Sequence, residues 1–367
     1  MKRHISRAFL LPFLVLLVLM QSFNAAASES GGAFLNVDII DVGQGLSVLI
    51  TTEDGALLYD GGPGSASSKV VSFIKQRGIA SIDYVIASHY DEDHLNGVVG
   101  AIRAFDVKNV IGPDYSTDTS VYTSFMRAVE EEGPDFTYAV AGTAYQMGSA
   151  LIQILMPLMP SYEDENDYSV AIKVTKDGRS VLLTGDCTTL GEGDMILAQE
   201  DLKSDILVLG HHGSSTSTSQ AFLDAADPSI AVVSCGTGNP YGHPDRSVMD
   251  RLSVWGLSLY RTDLQGDIRL RSENGASFTA ALDPCTDYSG GIQETIPDPV
   301  ETVPEVFDMP AAESTARYYV LNTNTGKFHY PDCSSVSDIY PQNREDVTMD
   351  RNEIIGMGYV PCKRCNP

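Results

Sequence analysis

Short apolar runs recur between residues 33 and 282, separated by glycines and by stretches with helical spacing. The runs at Phe34–Ile40, Leu46–Ile50, Leu57–Tyr59, Asp83–Ala87, Leu151–Leu155, Val170–Val174, Val181–Leu183, Ile206–Leu209 and Ile230–Val233 predict strands. Apolar positions spaced by three and four predict helices over Ser67–Arg77, Thr119–Glu132, Leu190–Glu200, Ser217–Ala225 and Asp245–Trp255. The early runs lie close enough to pair as hairpins, whereas the later ones alternate with helices. That combination predicts mixed sheets with helices packed outside them, a layered α/β domain.

The first residues follow another pattern. Lys2, Arg3 and Arg7 flank the start of an apolar run from Ala8 to Met20, and small residues follow up to Ala25-Ala26-Ala27-Ser28. A spanning helix needs about 20 apolar residues, and this run is shorter and contains Pro12. Residues 1–27 therefore read as a signal peptide, the alternative being an uncleaved N-terminal anchor. A secreted or extracytoplasmic location follows, with membrane contact only through this segment.

Apolar periodicity fades after Leu282. Pro284, Pro297, Pro299, Pro304 and Pro310 stand among acidic residues, which predicts an acidic, Pro-rich linker over 285–316 between a domain of residues 28–284 and a module of residues 317–367. A module this short is marginal without a cross-link. At 43% hydrophobic and 20% charged, most of the chain can bury a core, which excludes wholesale disorder. The 24 basic residues stand against 49 acidic ones, a net charge of −25, and this argues against gripping nucleic acid through a broad basic face.

Chemistry concentrates after the strand that ends at Ala87. In Ser88-His89-Tyr90-Asp91-Glu92-Asp93-His94, four potential ligands fall within six residues at the end of a strand, where a loop can aim them at one point. A polar surface turn would not concentrate two histidines around two aspartates. Later strand ends carry further cues: Thr184-Gly185-Asp186, then His211-His212-Gly213-Ser214, then Asn239-Pro240-Tyr241-Gly242-His243-Pro244. Each is weak alone, because Gly-Asp and His-Pro are common in turns and loops.

Together with Asp41-Val42-Gly43-Gln44-Gly45, Tyr59-Asp60-Gly61-Gly62 and Asn166 with Ser169, these motifs run in an order that resembles the metallo-β-lactamase fold, and specifically the extracytoplasmic hydrolase domain of the competence protein ComEC and its stand-alone relatives. The resemblance implies a four-layer αββα sandwich with a two-metal site on one edge. It implies that His89 and Asp91 hold one divalent ion, Asp93 and His94 the second, and that Asp186 bridges, with His211 as a further ligand and His212 as its substitute. Asp93 would also orient the attacking water. His243 would face the substrate, to protonate a leaving oxygen or bind a phosphoryl oxygen, unless it is a satisfied loop histidine. Asp60 and Asn166 become supporting positions, with a scaffold role favoured. Two closely spaced cations lower the pKa of water and clamp the oxygens of an in-line displacement at phosphorus.

Two departures matter. Leu46 stands where ComEC-like domains usually have aspartate, so any polar role of that residue is missing. Asp91 stands where the commonest members of the wider fold have histidine, and oxygen in place of imidazole lets manganese or magnesium compete with zinc.

In the C-terminal module, His329-x3-Cys333 and Cys362-Lys363-Arg364-Cys365 form a zinc-ligand pattern, and one zinc ion would supply the missing staple. This segment resembles the metal-binding module of Ada-type repair proteins, although His329 departs from the four cysteines common there. In an oxidising compartment the competing reading is a disulfide from Cys333 to Cys362 or Cys365. The function expected from all of this is a secreted metal-dependent hydrolase, a phosphodiesterase or nuclease acting on DNA. The alternatives are a hydrolase of small or cell-wall phosphate esters or carboxylic esters, and a non-catalytic secreted binding protein on the same scaffold.

Overall fold

The computed structural model describes residues 32–291 and 317–367, apart from 324, 332, 350, 352, 353, 355–358 and 366. The signal segment at 1–27 and residues 292–316 of the expected linker lie outside the described residues. The chain divides into two compact units, 1–295 and 296–367.

In the first unit, side-chain alternation along the strands builds two cores from one sheet. In β3 (Ala56–Tyr59), Leu57 and Tyr59 face the second sheet while Leu58 faces helices, as the period of two dictates. The same split holds in β2 (Val48–Thr52), where Val48 and Ile50 point inward and Leu49 outward. The first sheet also contains β1 (Phe34–Ile39), β4 (Ser81–Ile86), β5 (Asp106–Gly112), β6 (Asp135–Tyr138), β14 (Ile268–Glu273) and β15 (Thr279–Ala280). Its order is β15-β14-β1-β2-β3-β4-β5-β6, antiparallel up to β3 and parallel from β3 onward.

The second sheet comprises β7 (Ala144–Met147), β8 (Ala150–Ile154), β9 (Ile172–Lys176), β10 (Arg179–Leu183), β11 (Ile206–Val208), β12 (Ile230–Val233) and β13 (Ser258–Arg261). Strands β10 to β13 are parallel, and β7 to β10 antiparallel. Helices α1 (Ser67–Gln76), α2 (Glu92–Ala104) and α3 (Ser120–Glu132) cover the outer face of the first sheet. Helices α4 (Thr189–Leu197), α5 (Gln220–Ala226) and α6 (Arg246–Ser253) cover that of the second. The result is a four-layer αββα sandwich whose middle layer is the shared apolar interface between the sheets.

Helix α2 was not expected. Its apolar residues Leu95, Val98, Ala101 and Ile102 have helical spacing, but the ligand-like residues at its start and Gly97 and Gly100 within it obscure the pattern. The metal cluster therefore does not lie wholly on a loop: Asp91 precedes the helix, and Asp93 and His94 belong to its first turn. Carboxylates there also meet the positive end of the helix dipole. The close seating of α2 requires two glycines, since a Cβ on Gly97 would fall 1.9 Å from the Gly61 oxygen. That approach lets the Gly61 N–H donate to the His94 carbonyl at 2.7 Å.

The first unit also runs further than its apolar pattern suggested. Cys285 N–H donates to the Leu259 carbonyl at 2.7 Å, and Gly291 N–H to that of Pro244 at 2.8 Å. The buried guanidinium of Arg261 pairs with Asp263 and donates to the Ser289 carbonyl. Residues 285–291, assigned to the linker by composition, are thus packed through backbone and charge pairing, with Cys285 and Tyr288 set against the apolar core, too few apolar positions to give a period.

The second unit holds one sheet in the order β18-β16-β17-β19, formed by β16 (Arg317–Asn322), β17 (Lys327–His329), β18 (Arg344–Met349) and β19 (Val360–Pro361). Only small apolar clusters sit on it, one around Tyr319, Leu321, Phe328 and Ile354 and the other around Val320, Cys333 and Cys362. No helix among the described residues is long and apolar enough to cross a membrane.

Candidate metal centre

The parallel halves of the two sheets end on the same edge of the sandwich, and the polar residues of the motifs follow these strand ends. Asp60 follows β3, the segment from Ser88 to His94 follows β4, Asp186 follows β10, His211 and His212 follow β11, and Ser234 follows β12. Carboxyl ends of parallel strands are where open α/β sheets gather functional side chains.

Asp60, fully buried, organises the first-sheet side. Its carboxylate accepts the Ser88 N–H at 2.8 Å and the Ser88 hydroxyl at 2.7 Å, and lies 2.8 Å from His94 Nδ1. His94 Nδ1 therefore carries a hydrogen, and its Nε2 is the ligand atom. That Nε2 is 3.2 Å from Asp186 Oδ1, 4.0 Å from Asp93 Oδ1 and 3.2 Å from His212 Nε2. His212 is fixed in the same sense, because its Nδ1 lies 3.0 Å from the Ser234 carbonyl, which can only accept. Its Nε2 lies 3.3 Å from both Asp93 Oδ2 and Asp186 Oδ2. His89 is buried, with Nδ1 2.9 Å from the Ser88 hydroxyl, while its Nε2 has no hydrogen-bond partner among the described residues and Asp91 lies 3.7 Å away.

Two overlapping donor sets result, His89 with His94 and Asp186, and Asp93 with His94 and His212. This redraws the partition expected from the motifs. Asp186 meets both His94 and His212, and His94 belongs to both sets.

The order of preference between the paired histidines is also reversed. His212 is buried and enters the cluster, whereas His211 turns Nδ1 to the Thr216 hydroxyl at 3.0 Å and leaves Nε2 3.7 Å from Asp186. Both have positive φ, 49° and 56°, so the chain makes consecutive left-handed steps here and the two rings diverge, their planes 72° apart. Asn166 takes a backbone supporting role, its carbonyl accepting the Ser169 N–H at 3.0 Å. It lies half-buried in a single 3-10 turn, Glu165–Tyr168, and its neighbour Asp167 is the buried carboxylate, accepting the Thr188 N–H and hydroxyl at 2.9 Å. Ser169 of that motif is placed as a support, its hydroxyl accepting the Asp186 N–H at 3.1 Å.

The sequence reading missed Ser88 and Ser234. A small hydroxyl residue just before His89 was the available signal for the first; nothing in the sequence marks the second. Ser234 also ties the centre to the Asp41–Gly45 motif, since its hydroxyl donates to the Gly45 carbonyl at 2.8 Å. Leu46 N–H donates to the Asp93 carbonyl at 3.2 Å, and the Leu46 side chain lies in the core between the sheets. An aspartate side chain there would lie in apolar surroundings.

The electrostatics favour positive charge at the cluster. Burial opposes protonation of His94 and His212, but Asp186 and Asp60 hold His94 well above the usual histidine range, and Asp186 and Asp93 raise His212 to about 9. Burial pushes Asp93 up, yet the His212 hydrogen bond and the charge of His94 bring it down to about 2. Burial likewise acts against the Asp186 carboxylate, and His212 and His94 hold it well below the carboxylate range. His243 differs. Burial and the neighbouring His212 and His211 lower it to about 4, and its buried Nδ1 lacks a hydrogen-bond partner among the described residues.

In the second unit, His329, Cys333, Cys362 and Cys365 present ligand atoms within 4.8 Å of one another. The three thiols are free rather than bridged, and both ring nitrogens of buried His329 lack hydrogen-bond partners among the described residues. Burial acts to raise the Cys362 thiol, but backbone N–H groups of Arg364 and Cys365 bring it below its ordinary value, while burial and the neighbouring thiols push Cys365 up to about 11, so without a cation the cluster does not hold all its sulfurs as thiolates. One nitrogen and three sulfurs suit a tetrahedral zinc ion.

Residues 40–237 match the family model described as the Metallo-beta-lactamase superfamily. The chain is similar to Competence protein ComA of Neisseria gonorrhoeae, with 34% identity over 237 residues, 64% of this chain and 32% of that protein. It is 29% identical to ComE operon protein 3 of Bacillus subtilis, over 65% of this chain and 33% of that protein. With Recombination protein 2 of Haemophilus influenzae the identity is 33%, over 64% of this chain and 28% of that protein. The chain thus spans about a third of the length of these relatives.

Proposed function

The chain belongs to the metallo-beta-lactamase superfamily, a fold of metal-dependent hydrolases, and from that premise we propose that it is an extracytoplasmic phosphodiesterase acting on DNA through two divalent ions. One observation carries the metal reading. His94 and His212 each have Nδ1 committed to an acceptor, so their Nε2 atoms, 3.2 Å apart, point into one space shared with two carboxylates. Positive charge belongs in that space, as ring protons in the metal-free chain and as cations in their place when metal binds, and the mixed oxygen and nitrogen donors suit manganese or zinc.

Residues His89 and Asp186, with Asp91 at the rim, would hold one ion, and Asp93, His94 and His212 the other, with Asp186 within reach of both. Ions so held would activate water and neutralise charge on phosphate oxygens. Asp60, Ser88, Ser169 and the Ser234 carbonyl hold the ligand atoms in place. Asp93, ionised and partly exposed, accepts a hydrogen bond from the attacking water and aims it. His243, neutral at pH 7, donates an N–H to a phosphoryl or leaving oxygen rather than acting as a strong acid. The names Competence protein ComA and Recombination protein 2 among the relatives support DNA as substrate.

The net charge of −25 favours a second reading, hydrolysis of smaller phosphodiesters or cell-wall phosphate esters, which suffer less repulsion. Metal-loaded protein assayed side by side on DNA, small phosphodiesters, phosphomonoesters and carboxylic esters separates the two. Turnover of carboxylic esters alone would reject phosphodiester chemistry. The second unit would bind one structural zinc ion through His329, Cys333, Cys362 and Cys365. Removing Cys362 should remove one equivalent of zinc and leave the hydrolase centre loaded.

A further inference from the structure

Tyr241 is 67% exposed, yet its loop is held firmly. Buried Asn239 accepts the N–H groups of Tyr241 at 3.2 Å and His243 at 3.0 Å, and its own amide donates to the Gly236 and His243 carbonyls. The Tyr241 ring stacks on His243, with centroids 5.6 Å apart and planes at 23°. His243 in turn stacks on His212 at 6.2 Å and 28°. A column of rings therefore leads from the metal cluster to solvent, and the outer face of its last ring is open.

A second pair of rings stands on the first-sheet side. Half-buried Tyr115 and Tyr168 have centroids 4.8 Å apart. The Tyr115 hydroxyl accepts the N–H of Tyr90, between His89 and Asp91, and Tyr168 precedes Ser169, which holds Asp186. These two rings also meet Tyr90 and Tyr162, with centroids at 4.8 and 5.5 Å, so their faces are engaged within the protein and Tyr241 carries the exposed face. A net charge of −25 argues against holding a polyanion through a broad basic face, but ring stacking does not depend on that charge.

We propose that Tyr241 is a base-stacking platform that seats a nucleobase of a single-stranded polynucleotide while a neighbouring phosphodiester lies at the cluster. The proposal rests on the phosphodiesterase reading and adds a residue that selects the substrate. A methylphosphonate oligothymidylate carries bases on an uncharged backbone that resists hydrolysis, so its binding isolates stacking from charge. In fluorescence anisotropy with the metal-loaded full chain, wild type and Tyr241→Phe should bind it alike with little salt dependence, and Tyr241→Ala about tenfold more weakly. Wild-type affinity in Tyr241→Ala, equal loss in Tyr241→Phe, or no binding by wild type overturns the platform. This series needs no turnover. Failure to hydrolyse any phosphodiester would instead strike the reading beneath it, and the two failures are separately visible.

Discussion

Asp60 and His94 meet at 2.8 Å with both side chains completely buried, so the ligand face of the His94 ring is set by a carboxylate on the opposite side from the metal cluster. An asparagine there would present an N–H₂ group to Nδ1 and drive the hydrogen to Nε2, the atom that must be bare to ligate. Asp60→Asn should therefore weaken metal binding by about 10–100-fold while keeping the shape of the side chain. Titration calorimetry with manganese checks this, and wild-type affinity would show that the contact only fills space.

The paired histidines should separate cleanly. His212→Ala removes a buried ligand and should lower hydrolysis by more than about a hundredfold together with metal content, whereas His211→Ala should retain metal. Metal analysis after dialysis of both variants reads the difference. Loss of metal in His211→Ala with retention in His212→Ala would reverse the assignment.

Stability should depend on pH differently with and without metal. In the metal-free chain, His212 titrates at about 9, above the roughly 6.5 of an unfolded chain. The folded state thus holds that proton more tightly, and the stabilisation is complete below about 6.5 and lost as pH rises through about 9. Metal requires the same nitrogen without its proton, so affinity should rise across that window. Calorimetric melting between about pH 6 and pH 10 should show the two forms diverging as pH rises, and parallel curves would contradict it.

Truncation tests the extent of the first unit. Ending the chain after Leu282 strips the Ser289 carbonyl from buried Arg261, at a cost of about 1–3 kcal/mol, while ending after Gly291 keeps it. The longer fragment should melt higher in denaturation by urea. Equal midpoints would mean that residues 285–291 contribute nothing.

What the sequence disclosed follows its physics. Strands such as Ile230–Val233 were legible because a buried strand is a continuous apolar run, and the helix at Ser67–Gln76 because one face is apolar. The identity of the cluster was legible because ligand residue types are rare at such density. Helix α2 was not, since its first turn is spent on ligands and its close packing on glycine. Choosing between His211 and His212 depends on two consecutive left-handed residues, a backbone property to which neither side chain gives a clue. Short exposed strands such as Asp135–Tyr138 escaped because their faces lack contrast.

The central claim is that hydrolysis depends on cations held where His94, Asp186 and His212 converge. Titrating manganese into chelator-stripped wild type and Asp186→Asn, while following cleavage of a phosphodiester, tests it most directly. Wild type should gain activity that saturates near about two equivalents bound to the first unit, and Asp186→Asn should stay inactive and poorly loaded at the same concentrations. Full turnover by the stripped chain in excess chelator, or by Asp186→Asn at the wild-type metal requirement, would contradict the account.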